Sequence, residues 1–322
     1  MRLAILTASI FAAVSPALAP AQAYPSKPIR FILNGAPGAF SDVTLRVAAV
    51  ELARQTRQPW VVENRPGGDF VIAAVACKAA APDGYTVCVV NEQSMSLNPH
   101  VISKLPYDPD RDFKPITNLF IQVSGLVAST SVESIAELLR LAAAKPGSMN
   151  FATMGPSTTQ DILRQWINNH WKADFVGVPY KGMNAILNGI VSGEVNVTQA
   201  ALGSAGPYLS SGKVKLLAVN SARRLPKLPD VPTYTEAGLG EFIDVQGRFW
   251  WGLVAPVGTP DAMVQRLNAE FAAVFRLPKF AELLENQYLQ SAICTPEEFA
   301  NFLKRDRTRD AQVVKRFNVS KQ

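Results

Sequence analysis

From position 24 onward the chain switches repeatedly between two hydrophobic periods. Short apolar runs of strand length alternate with stretches whose apolar residues recur every three or four positions, the mark of helices with one buried face. Pro28–Leu33, Trp60–Glu63 and Tyr85–Val90 read as strands. Val43–Thr56 reads as a helix, with Leu45, Val47, Ala48 and Leu52 on its apolar side and Asp42 as N-cap. Ile72–Ala81 reads as an Ala-rich helix stopped by the turn Pro82-Asp83-Gly84. A second series begins at Val132. It runs helix Ser134–Ala144, strand Met149–Ala152, helix Thr159–His170, strand Phe175–Val178, helix Ala185–Ser192, strand Val195–Gln199, helix Ser204–Ser211 and strand Lys215–Val219. The tail is helical over Pro260–Phe275, Pro278–Asn286 and Pro296 to about Phe317, where Thr295 caps and Pro296 takes the first position.

This alternation predicts an α/β fold of two units, each a mostly parallel sheet flanked by helices. Segments near Ile116–Val127 and Gln246–Ala255 would cross between them. That makes residues 24–122 plus 247–322 one lobe and 123–246 the other. Ligands of open α/β sheets sit beyond the carboxyl ends of the strands, and both units place a small-residue loop there. One is Asn34 to Asp42, with Gly38, Ala39, Phe40, Ser41 and Asp42 as candidate ligand contacts. The other is Thr153 to Gln160, with Thr153, Gly155, Ser157, Thr158 and Thr159. Neither loop contains Lys, Arg or His. They offer an anion main-chain N–H groups, hydroxyls and the positive ends of the following helices. Asn91 and Ser94 follow a strand and are further candidates, on a stretch whose plainer reading is a polar loop. Arg248 is a candidate partner for a second carboxylate.

The first 23 residues supply the address. Met1-Arg2 is a positive start, Leu3–Val14 an apolar core and Ala21-Gln22-Ala23 a cleavage site. A cleavable signal peptide over 1–23 sends the mature chain, starting near Tyr24, to a bacterial periplasm. Its loss lowers the formal charge from +6 to +5. No later segment is long and apolar enough to span a membrane. With 48% hydrophobic and 18% charged residues the composition is globular. No Lys/Arg stripe interleaves with aromatics, which argues against nucleic acid.

The three cysteines, Cys77, Cys88 and Cys294, rule out a fully paired framework. A disulfide between Cys77 and Cys88 is open in an oxidising compartment, with buried free thiols the favoured reading. No spacing suggests a metal site or a cofactor. Catalysis has little to stand on. His100 and His170 lack partner constellations. Ser210-Ser211-Gly212-Lys213 has no companion motif, and Asp108-Pro109-Asp110-Arg111-Asp112 lacks the Gly and Glu of a calcium loop.

A series of segments then resembles one family. They are Tyr24-Pro25-Ser26-Lys27-Pro28-Ile29-Arg30, Ala36-Pro37-Gly38, Val62-Glu63-Asn64-Arg65-Pro66-Gly67, Ala81-Pro82-Asp83-Gly84-Tyr85-Thr86, Leu105-Pro106-Tyr107-Asp108-Pro109, Val178-Pro179-Tyr180-Lys181-Gly182, Leu228-Pro229-Asp230-Val231-Pro232-Thr233 and Ala255-Pro256-Val257-Gly258-Thr259-Pro260. Their order and spacing resemble the periplasmic substrate-binding receptors of tripartite tricarboxylate transporters, the Bug-type proteins, over essentially the whole mature chain. The resemblance implies a Venus-flytrap fold, no catalysis, a monomer, a small organic anion held by main-chain amides and hydroxyls, and integral-membrane transporter subunits as partners. A sensor presenting its ligand to a signalling protein would look the same in sequence.

The departures narrow the cargo. Gly38-Ala39-Phe40-Ser41-Asp42 stands where the family usually has Gly-Gly-Ala-Thr-Asp, so Phe40 brings a ring to a small-residue position. In the third binding segment Gln199 and Ala200 are candidate contacts. There Ala200 and Ala201 replace an Asp-Asn pair whose Asp faces a ligand ammonium in amino-acid-binding members, which disfavours an amino acid. Pro156 and Asp161 stand where Asn and His are common, and Asp69-Phe70-Val71 replaces a Gly-rich stretch. With Phe40 and Phe249 or Trp250 at the cleft, an aromatic carboxylate such as a phthalate-type diacid fits, with an aliphatic di- or tricarboxylate close behind, although the plainer reading of Trp250-Trp251 is core packing at the crossing strands.

Overall fold

The computed structural model describes residues 24–156, 158–242, 249–317, 319 and 321. The leader expected over 1–23, Ser157, Arg248 and part of the crossing segment expected at Gln246–Ala255 lie outside them. Two sheets, each with helices on both faces, form a two-lobed α/β fold. The first sheet has the order β11-β4-β10-β3-β1-β2. Its strands are β1 Ile29–Leu33, β2 Trp60–Asn64, β3 Thr86–Asn91, β4 Phe113–Gln122, β10 Trp250–Pro256 and β11 Leu289–Ser291. The second has the order β7-β6-β8-β5-β9, from β5 Ser124–Ala128, β6 Asn150–Thr153, β7 Val176–Pro179, β8 Val197–Ala201 and β9 Lys215–Val219.

Both sheets are mixed, which corrects the mostly parallel expectation. β1 runs parallel to β2 and β3, but β10 is antiparallel to β3 and β4. β6 runs parallel to β7 and β8, while β5 is antiparallel to β8 and β9. The antiparallel strands include the segments read as connectors. The reversed strands β5 and β10 are those on which the chain enters a sheet from the other lobe, whereas β4, on which it leaves the first sheet, runs in the direction of β1 and β3. One residue, Val123, separates β4 from β5, and its N–H donates to Tyr288 O at 3.1 Å.

Side-chain alternation divides each core into two layers. Phe31, Leu33, Leu45, Trp251 and Phe271 share one face of the first sheet, and Ile32, Val90, Trp250 and Phe299 the other. The last helix, Pro296–Arg316, starts with the capping box Thr295/Glu298. Its early residues Phe299 and Leu303 pack in the first lobe, and Val313 and the following Phe317 pack in the second.

Cys77 and Cys88 form a disulfide, with Cα atoms 6.0 Å apart, correcting the preference for free thiols. Cys77 lies on the buried face of the helix Val71–Lys78, and that helix packs on the strand carrying Cys88, so both sulfurs enter the same core layer. Replacing both cysteines by Ala is expected to cost about 3 kcal/mol, chiefly by freeing the unfolded chain. That corresponds to a Tm lower by about 6 °C. Calorimetry of the double variant checks this, and a Tm within a degree of the parent would contradict it.

Candidate ligand-binding cleft

A cavity of about 460 Å³ opens between the lobes, within the size range of small-molecule sites. Four helix starts border it. They belong to α1 Phe40–Thr56, α5 Thr159–Trp171, α6 Met183–Ser192 and α7 Leu202–Ser210, and none carries a side-chain cap. Uncapped first-turn N–H groups and the positive dipole ends thus face one space from both sides. Among the described lining residues the formal charges are Lys181 on one lobe and Asp69 on the other.

In the first loop, Ala39, Phe40 and Ser41 lie on the cavity wall, whereas Gly38 and Asp42 do not. The helix begins at Phe40 with Ala39 at the N-cap, so Asp42 is a first-turn residue and not the cap expected from the sequence. Its carboxylate is 3% exposed. It accepts from Gly38 N at 2.9 Å, Asn64 Nδ2 at 2.8 Å and Arg46 Nε at 3.0 Å. Burial alone would raise its pKa, but these donors together hold it below the usual carboxylate range. Asn64 also donates to Gly35 O at 3.0 Å. Asp42 and Asn64 therefore buckle both ends of the loop from beneath. Gly38 takes φ +78°, a left-handed conformation that suits glycine.

The second loop is organised the same way. Thr158 and Thr159 are on the wall. Thr153 stands behind, its hydroxyl accepting from Gly155 N at 3.2 Å, while Thr158 Oγ1 donates to Gly155 O at 2.8 Å. Gln199 and Ala200, at the end of β8, also reach the wall. Asn91 and Ser94 do not. Asn91 Oδ1 accepts from Ser94 N at 3.0 Å, and both are buried. They launch a wide π-type helical turn, Gln93–Leu97, where the sequence reading allowed a polar loop. Gln93 of that turn faces the cavity.

Several wall residues fell outside the sequence candidates, among them Gln122, Ser124, Gln160, Met183 and Ser204. Ser124 lies within the crossing expected at Ile116–Val127, but nothing local marks it as the residue that starts β5 at the cavity wall. The aromatic wall is also larger than the sequence suggested. Trp251 sits at its centre, meeting Phe40 edge-on at 5.6 Å and Phe70 and Phe249 at 6.1 Å. Trp250, the ring considered for the cleft, points into the opposite core layer, as the two-residue period of β10 requires.

Comparison with known proteins agrees with this architecture. Residues 44–319 match the sequence profile of the tripartite tricarboxylate transporter family receptor. BugT of Bordetella pertussis is 29% identical, over 97% of this chain and 94% of its own. An R. palustris protein solved with adipate superposes with TM-score 0.84 at 25% identity, over 93% of this chain and all of its own. MatC of Rhodopseudomonas palustris with bound malate gives TM-score 0.79 at 28% identity, over 90% of this chain and all of its own.

Proposed function

Since the chain belongs to the tripartite tricarboxylate transporter receptor family, we propose that it captures an organic carboxylate bearing an aromatic ring, in the periplasm, for a membrane transporter. It is a solute-binding receptor and not an enzyme, as are its relatives. One observation carries the ligand class: four uncapped helix starts converge on a cavity walled by Phe40, Phe70, Phe249 and Trp251. A carboxylate there accepts main-chain N–H bonds in a site shielded from water. A ring meets the wall edge-to-face. Residues 24–122 with 247–322 and residues 123–246 act as the two closing bodies, except that the end of the last helix, from Val313 to Phe317, is seated in the second. An aliphatic diacid is the second reading, favoured by the adipate and malate in the related structures.

A thermal-shift screen of benzoate, phthalate, adipate, malate and amino acids tests this. At a hundredfold excess over Kd a ligand adds about 2.7 kcal/mol of stability. Aromatic acids are expected to give the largest rise in Tm. A rise with amino acids alone would overturn the reading.

A further inference from the structure

Behind the cavity floor lies a cluster of acids that ligand capture as described above does not use. Glu92, Asp306 and Asp310 are all at most 4% exposed, and a single guanidinium, Arg309, stands among them. Arg309 reaches Asp306 at 2.6 Å and Asp310 at 3.0 Å. Trp250 Nε1 donates to Asp306 at 2.7 Å. The carboxyls of Glu92 and Asp310 face each other. Three buried carboxylates against one cation would leave excess negative charge in a poorly solvated place, so a proton is retained there.

The position of the cluster gives that proton a role. Asp306, Arg309 and Asp310 occupy the middle of Pro296–Arg316, between the part of that helix seated in the first core and the part seated in the second. Glu92 directly precedes Gln93, and Trp250 directly precedes Trp251; both of those neighbours are on the cavity wall. Leu97, from the same π-type turn as Gln93, packs in the core of the second lobe. The cluster thus touches the helix that bridges the lobes and two segments that face the ligand.

We propose that Glu92, Asp306 and Asp310 make ligand capture proton-linked, with closure of the cleft on an anion taking up a proton at this cluster. The inference rests on the carboxylate reading above. An anion in the cavity adds negative potential one residue away from Glu92, which disfavours loss of the shared proton. Closure that removes water from the crossing acts in the same direction. By linkage, protonation strengthens anion binding by the same factor.

The groups facing Glu92 are Asp306, Asp310 and Arg309. Those facing Asp310 are Arg309, Asp306 and Glu92. Arg307 turns away, to Met95 O and Asp110. His100, on the adjoining short helix, bonds the Arg307 carbonyl at 3.1 Å, and burial holds its pKa below the usual value. Burial, then the neighbouring acids, hold Glu92 well above the carboxylate range. Burial lifts Asp310 from 3.8 to about 7 against the pull of Arg309. The titration therefore falls near neutral pH. A carboxyl raised on folding stabilises the fold fully below its unfolded value of 3.8 and loses that contribution as pH rises through about 7.

Isothermal titration of the full mature chain with benzoate and with adipate, in phosphate and in Tris between pH 6.5 and 8.5, tests the proposal. Both ligands are fully ionised there, so proton exchange reports the protein. The expected result is uptake of about half a proton near pH 7, with affinity falling roughly fivefold across the range. Asp310→Asn and Glu92→Gln are each expected to abolish the uptake and flatten the pH profile, and His100→Gln to leave both intact. Heats independent of buffer in the parent protein would overturn the proposal, as would full uptake surviving in both cluster variants or vanishing in His100→Gln. Absence of any binding heat with either acid would instead overturn the carboxylate reading beneath it.

Discussion

Thr158→Asp is expected to strengthen the fold and to weaken carboxylate binding about a hundredfold. Thr158 occupies the N-cap of α5, but its hydroxyl donates backward to Gly155 O, and the helix start has no side-chain cap. An Asp there accepts the first-turn N–H groups and interacts favourably with the dipole, adding about 0.5–1 kcal/mol. The same carboxylate occupies the amides and potential that a ligand anion needs. Like charges in a shielded site cost several kcal/mol, and 2.7 kcal/mol is a hundredfold in Kd. Thr158→Asn caps without the charge and should lose far less affinity. Calorimetric melting without ligand and titration with the best acid from the screen check both halves. A Thr158→Asp protein that binds as tightly as the parent would remove this helix start from the site.

Trp251→Ala is expected to cost about 4 kcal/mol of stability, in the range for a large buried aromatic. The ring is 4% exposed and touches Phe40, Phe70, Phe249 and Phe120. Removing it leaves a void at the centre of the first lobe and deprives the cavity rings of their backing. Urea unfolding measures the loss, and a change under about 1 kcal/mol would contradict the packing described. Binding should fall about tenfold for benzoate and less for adipate, since edge-to-face contacts favour a ring. Equal losses for both acids would count against the aromatic reading.

Much of the architecture is visible in local pattern. Lys215–Val219 and Pro278–Asn286 form over the residues that their periodicity marks. The Thr295 cap and Pro296 start are present as read. Both small-residue loops border the cavity, because a strand end followed by Gly, Pro and hydroxyl residues leads into a helix start whatever surrounds it. Errors appear where an outcome depends on a partner far along the chain. Asp42 has the composition of an N-cap, but Asn64 and Arg46 recruit it as a brace. Asn91 and Ser94 spend their polar groups on each other. Whether Trp250 or Trp251 faces the cleft depends on which side of β10 the loops of the first lobe cover.

The sequence by itself determined the α/β alternation, the anion-friendly chemistry of the two loops and the family, since each follows from residue type and near-neighbour spacing. Only the tertiary structure decided the strand directions, the Cys77–Cys88 bond, the aromatic wall around Trp251 and the acids gathered at the crossing. Those features join residues from distant segments, and a hydrophobic period says which face is buried but not what is buried against it.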